Sequence, residues 1–301
     1  MRQLSKLLLC GLVFGGFIGS SLLVNLMFCC LSLAKRQHCA IVLTQFWARV
    51  LLRLLGLKIR APQPLQHFSL LPAHGCLVVS NHQSYLDIVV LVAHFPVQFV
   101  AKQEVSQWPM IGLMAKLAGT IFIDRSSSRQ SVRCAGEIAA SLVQGGQVLI
   151  FPEGTSTNGC QVLPFKPMLM NAALQARVPV LPLTLHYESI NEQTLTNETR
   201  AGCCWYGEMD FVSHFWRVLA LKQIGISLEV HPMLNPPHST TAQELARLAH
   251  EKVARRFIAP PTTTSTTENL DTANEFLLGA VLLSLVNHET NYLKESEYGE
   301  A

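Results

Sequence analysis

The feature that most constrains this chain is the run from residue 7 to 34, which holds neither a charged side chain nor a histidine. As one helix it would be roughly 42 Å long, more than the ~30 Å hydrocarbon core of a bilayer, so it predicts a membrane anchor with room to tilt. Arg2 and Lys6 before it and Ser32-Leu33-Ala34 at its end also fit a cleaved signal peptide. Such peptides have apolar cores of only about 7 to 15 residues, so a retained anchor, single-pass or monotopic, is the reading adopted. Gly11, Gly15 and Gly19 share one helical face, which fits helix dimerisation or simply the commonness of glycine in membrane helices. Lys35, Arg36, Arg49, Arg53, Lys58 and Arg60 follow the run, and by the positive-inside rule they place the rest of the chain on the cytoplasmic face. Between 41 and 57, Gln45, Arg49 and Arg53 make a narrow polar stripe on an apolar segment. That segment suits either a helix lying in the headgroup layer or a core helix of the globular part.

Composition narrows the class. Charged residues make up 14% of the 301 and apolar ones 49%, which excludes a disordered, collagen-like or disulfide-stapled chain. The net charge of +3 conceals an asymmetry, because residues 262 to 301 hold seven acids against Lys294 and leave the remainder strongly basic. With no Lys/Arg-rich stripe, that basic body suits anionic lipid or a phosphorylated substrate and not nucleic acid. Nine cysteines without a CxxC spacing read as free thiols, with no metal site.

From residue 76 short β-branched runs alternate with helical stretches. Strands are expected at 76–80, 97–101, 119–123, 147–151, 178–185 and 226–231, and helices at 84–94, 109–118, 129–144, 167–175 and 241–257. The apolar runs do not alternate with polar residues, so the fold class is α/β, a mostly parallel sheet flanked by helices and preceded by a membrane-associated helical segment. Pro179 and Pro182 place their strand near an edge. Three regions follow: 1–60, transmembrane and interfacial helices; 61–258, the α/β domain; and 259–301, a linker and acidic tail with a short apolar helix at 276–286.

Four strands are each followed by a chemically capable residue: His82, Lys102, Arg125 and Glu153. In a parallel sheet these gather at one edge, where α/β proteins place ligands. Asp87, five residues after His82, can reach back from the following helix to fix the imidazole tautomer, or can pair with Ser84 as a simple helix cap. Phe151-Pro152-Glu153-Gly154-Thr155 is an ordinary turn or a site for substrate hydroxyls. Arg125 is a surface ion-pair partner or a phosphate ligand. Motifs for a serine nucleophile elbow, a phosphate-binding P-loop, a dinucleotide site or a zinc hydrolase are all missing from the sequence.

With these residues in view, the chain resembles the glycerolipid acyltransferases that acylate lysophosphatidic acid. His82 and Asp87 match the family's H-x4-D, and Gly119 to Arg125, Phe151 to Thr155 and Val178 to Leu185 match its later blocks, in order, across roughly residues 45 to 190. Ala101-Lys102-Gln103-Glu104 and Phe165-Lys166 resemble further family segments, while Met168 stands where a small residue is common. Trp205-Tyr206-Gly207-Glu208-Met209-Asp210 with Trp216 is similar to a bacterial branch that includes lyso-ornithine lipid acyltransferases. The resemblance implies transfer of an acyl chain from acyl-CoA or acyl carrier protein to a lysophospholipid hydroxyl in the membrane, without metal or other cofactor. It implies His82 as base, Asp87 as its partner, and Arg125, Glu153, Gly154, Thr155 and Lys166 at the acceptor, and Lys102, or a backbone N–H near it, is the candidate for the developing oxyanion. Lysophosphatidic acid is the acceptor implied first and lyso-ornithine lipid second. A catalytically idle lipid-binding protein is the alternative from another class.

Overall fold

The computed structural model describes residues 2–28, 30, 33–61, 71, 72, 74–124 and 128–259. The apolar N-terminus is two helices, α1 (Arg2–Met27) and α2 (Leu33–Leu55), where the charge-free run predicted one. A lack of charge measures length in lipid and not helix continuity, so the run extends past the end of α1 into the first turn of α2. The helices pack antiparallel. Arg36 donates to Asn25 Oδ1 (3.0 Å) and the Trp47 indole N–H to Ser20 Oγ (3.0 Å), and Trp47 lies against Gly16, where any Cβ would collide with the ring. Each helix is long and apolar enough to cross a membrane. One face of α1, with Cys10, Val13, Phe17 and Ser21, is nonetheless buried against the body, while Leu4, Leu8, Leu12, Leu23 and Leu26 are exposed. Gln3 and Lys6 donate to the carbonyls of Trp216 and Leu221, tying the start of α1 to the globular part.

The sheet comprises β1 (Leu57–Arg60), β2 (Cys76–Ser80), β3 (Gln98–Lys102), β4 (Ile121–Ile123), β5 (Gln147–Ile150), β6 (Val180–Ile190), β7 (Gln193–Thr194) and β8 (Ile224–Val230). Its order is β1-β8-β6-β2-β5-β3-β4, with β7 pairing on β6. All neighbours are parallel except β6 with β8 and β6 with β7, so the sheet is mixed and mostly parallel. β1 pairs with β8, so the α/β body starts a strand earlier than residue 61. Residues 260–301, with the expected linker and tail helix, lie outside the described residues.

Six helices complete the layers: α3 (Leu86–His94), α4 (Ile111–Leu117), α5 (Ser128–Val143), α6 (Asn171–Ala176), α7 (Phe211–Ala220) and α8 (Ala242–Arg256). The strand period of two sends alternate side chains to two cores. Cys76 and Val78 of β2 join Leu86, Leu91, Leu183, Leu185 and Val218 on the α3/α7 side, whereas Leu77 and Val79 join Ile138, Leu142, Ala172, Leu245 and Ala249 on the α5/α6/α8 side. This two-sided burial is why β2 shows no polar alternation. β6 is central, between β2 and β8, and not near an edge as its prolines predicted. Pro182 is tolerated because its carbonyl, accepting from His231 N–H at 3.1 Å, shows that its donor-less nitrogen faces the gap between the end of the β6–β8 ladder at Leu183/Val230 and the bridge of Val180 to Leu234.

Candidate active site

β2 ends at Ser80, and the loop after it is fastened to β6. The Asn81 amide donates to Leu185 C=O (2.9 Å) and accepts from Leu185 N–H (2.8 Å), prolonging the parallel ladder with a side chain. Gln83 Nε2 donates to the same carbonyl (2.9 Å). Between these two anchors stands His82.

Asp87, in the first turn of α3, is fully buried and reaches back to the loop. Its Oδ2 accepts from Gln83 N–H (2.7 Å), Ser84 N–H (2.9 Å) and His82 Nδ1 (2.8 Å), and its Oδ1 from the Tyr187 hydroxyl (2.6 Å). An oxygen already taking two N–H groups acts as an acceptor, so Nδ1 carries the proton and Nε2 is left as the basic nitrogen. The cap and the histidine partner, alternatives on sequence alone, are one arrangement: Asp87 satisfies the N–H groups ahead of α3 and the imidazole together, while Ser84 makes no cap bond. Phe151 stacks on the imidazole at 4.0 Å between centroids and 13° between planes, which fixes the ring plane.

Glu153 sits behind the loop, 2% exposed. One of its oxygens accepts from His82 N–H (2.7 Å) and the other from Leu163 N–H (2.8 Å). Burial pushes its carboxyl up from 4.5 to about 7, against the pull of those two N–H groups and with a small push from Asp87. It holds the backbone of His82, whereas the sequence pointed it at substrate. Gly154 makes the turn possible with φ +78°, and Thr157 donates to His82 C=O through its backbone N–H (2.9 Å).

His82 opens onto a cavity of about 690 Å³. α1 supplies Val13, Phe14 and Phe17 to its walls, and α2 supplies Thr44, Trp47, Leu51 and Leu55. One side of α2 is therefore cavity wall, and Arg49 of its polar stripe donates to Ala93 C=O at the end of α3 (2.8 Å), while Val42 and Phe46 of the same helix stay exposed. Of the residues singled out from sequence, His82, Lys102, Gly154 and Thr155 line this cavity, with Glu104 beside Lys102. Lys166 is exposed and outside the lining, tied to the site through its N–H to Pro152 C=O (2.9 Å). Arg125 lies outside the described residues.

Known proteins agree with this architecture. Residues 58–186 match the family model named Acyltransferase. The chain is 33% identical over 220 residues to a lyso-ornithine lipid O-acyltransferase of Brucella abortus, covering 70% of this chain and 80% of that one. The chain belongs to the PlsC-like glycerolipid acyltransferase family. A second relative, the 1-acyl-sn-glycerol-3-phosphate acyltransferase of Neisseria gonorrhoeae, is 33% identical over 175 residues, 58% of this chain and 64% of that one. The solved 1-acyl-sn-glycerophosphate acyltransferase, PlsC, of Thermotoga maritima superimposes with a TM-score of 0.58 over 85% of this chain and 95% of that chain, at 22% identity, and shares the fold. This protein is thus an acyltransferase of a family that acts on lysolipids.

Sequence reasoning missed Asn81, Gln83 and Tyr187. No motif marks them, and only the β6 register brings them together.

Proposed function

We propose that the enzyme moves an acyl chain from a thioester, acyl-CoA or acyl carrier protein, to the free hydroxyl of lysophosphatidic acid, giving phosphatidic acid. The observation that carries this reading is His82, its Nδ1 held by a fully buried carboxylate, on the wall of a large apolar cavity. Nε2 takes the acceptor's hydroxyl proton as that oxygen bonds to the thioester carbon, and Asp87 stabilises the resulting imidazolium. Collapse of the tetrahedral intermediate breaks the C–S bond, and the proton leaves with the thiolate. Lys102 lines the cavity as a cation for the developing oxyanion. Gly154 and Thr155 line the acceptor end, with Arg125 and Lys166 as the cations assigned to phosphate, and Glu153 acts through the His82 backbone. The apolar walls take the acyl chains, in a volume within the ordinary range of ligand pockets.

Lyso-ornithine lipid is the second reading of the acceptor. The match to the Brucella protein extends over more of both chains than the Neisseria match, and Trp205, Gly207 and Phe211, in and just beyond the segment similar to that branch, line the cavity. We assign the α1–α2 hairpin to the membrane, with the α/β body on the cytoplasmic face, because α1 exposes a set of leucines and also supplies Val13, Phe14 and Phe17 to the cavity that must receive lipid, and because basic residues follow the apolar run. Purified enzyme offered both lysolipids, each with acyl-CoA and with acyl carrier protein, tests the assignment. Acylation of lysophosphatidic acid is expected. Acylation of lyso-ornithine lipid alone would replace the acceptor, and failure with every pair would overturn the proposal.

A further inference from the structure

The sequence gives Tyr187 no role, and the fold buries it completely. Residues Leu183, Leu185 and Tyr187 alternate onto one face of β6 and join the core beneath α3. A phenylalanine would fill that space equally well, so the hydroxyl is the informative atom, and a buried hydroxyl requires a partner. The partner is Asp87 Oδ1, at 2.6 Å. Asp87 therefore has its two oxygens on two different tasks: Oδ2 serves the loop and the imidazole, and Oδ1 serves Tyr187 alone among the described residues.

We propose that Tyr187 is a positioning residue for acyl transfer, a third member behind His82 and Asp87 that sets how strongly the carboxylate draws on the imidazole proton. The inference rests on His82 being the base. An O–H···O⁻ bond this short withdraws charge from the carboxylate and so weakens its hold on the imidazole N–H. Burial and the adjacent Asp87 push the phenol well above its usual range, which favours the protonated, donating form. The placement is fixed by the anchors already described, because Asn81 and Gln83 grip Leu185, two residues before Tyr187 on the same strand. The titratable groups around Asp87 are His82 in its own loop, Tyr187 on β6, Glu153 after β5, and Cys203 and Cys204 from the turn before α7. Tyr187→Phe removes one donor and leaves the others in place, so differences between the two pH profiles read the hydroxyl alone.

The test compares wild type, His82→Ala, Tyr187→Phe and a protein carrying 3-fluorotyrosine at position 187, all full-length in detergent, by kcat and KM for both substrates across pH. Without the hydroxyl the carboxylate becomes more basic and the His82–Asp87 pair holds its proton more tightly. Tyr187→Phe should move the acid limb of kcat/KM up by about one pH unit, so activity on that limb falls about tenfold and returns as the pH is raised, with both KM values unchanged. Fluorotyrosine is a stronger donor of the same shape and should move the limb down. It decides the question by itself if Tyr187→Phe does not fold. Profiles that superimpose on wild type, or a loss equal at every pH, would overturn the inference while an inactive His82→Ala leaves the base in place. An active His82→Ala would overturn the underlying reading and this inference with it.

Discussion

Replacing Glu153 with glutamine tests how the catalytic loop is held. In the native protein both carboxylate oxygens accept backbone N–H groups, from His82 at 2.7 Å and Leu163 at 2.8 Å. Glutamine can accept one of them, and its amide turns two hydrogens toward the other. The resulting unsatisfied buried donor costs about 1–3 kcal/mol. A second effect depends on pH. Glu153 ionises at about 7 in the fold and near 4.5 when unfolded, so between those values the native state binds the extra proton. Its contribution to stability is complete below about 4.5 and is lost as the pH rises through 7, at up to about 1.36 kcal/mol per pH unit, a total of order 3 kcal/mol. Glutamine does not titrate. The expected result is a Glu153→Gln protein clearly less stable than wild type at pH 5, with the gap closing steadily toward pH 8. Denaturation of both proteins in the same detergent at half-unit pH steps measures it. Parallel curves, separated by a constant amount from pH 5 to 8, would refute the raised pKa and the burial argument behind it.

Gly159 has φ +69° and abuts the Gln83 amide, so Gly159→Ala should push Gln83 off the Leu185 carbonyl and lower both melting temperature and kcat, by roughly 1–2 kcal/mol of stability, read by thermal melts and turnover. Asn81→Ala strands the Leu185 N–H, while the Leu185 carbonyl keeps the Gln83 amide, and should destabilise by about 1–3 kcal/mol; an unchanged melting temperature would count against the ladder extension. On the exposed face of α1, Leu8→Glu with Leu12→Glu should leave detergent-solubilised turnover near wild type and weaken retention in the bilayer, seen as release during carbonate extraction.

Positions along the chain were more legible than their contacts. β2, β5 and β3 are parallel neighbours, so His82, Glu153 and Lys102 come to one edge without any knowledge of side-chain packing, while Arg125 after β4 lies outside the described residues. Two of those residues, His82 and Lys102, line the cavity, whereas Glu153 turns inward to the loop backbone. A sequence shows that a carboxylate follows a strand; it does not show which N–H groups lie within 3 Å. The same limit hid Tyr187, whose partner lies 100 residues away through the β6–β2 register. Pro182 misled because the rule for proline in sheets concerns where the missing donor points, and here it points past the end of a ladder. At the N-terminus, charge-free length was read as one span, while the packing of Trp47 over Gly16 folds the segment into a hairpin that roofs the cavity.

The central claim is that His82, held by Asp87, removes the acceptor's proton. Its most direct test is the single-turnover rate of acyl transfer to lysophosphatidic acid by purified His82→Ala and Asp87→Asn, with thermal melts and acceptor binding measured on the same samples. The account predicts that His82→Ala transfers no acyl chain above background and that Asp87→Asn is slowed by about 10⁴, the loss seen when an aspartate–histidine pair loses its carboxylate, with acceptor still bound. Acyl transfer near the wild-type rate by either folded variant would contradict it.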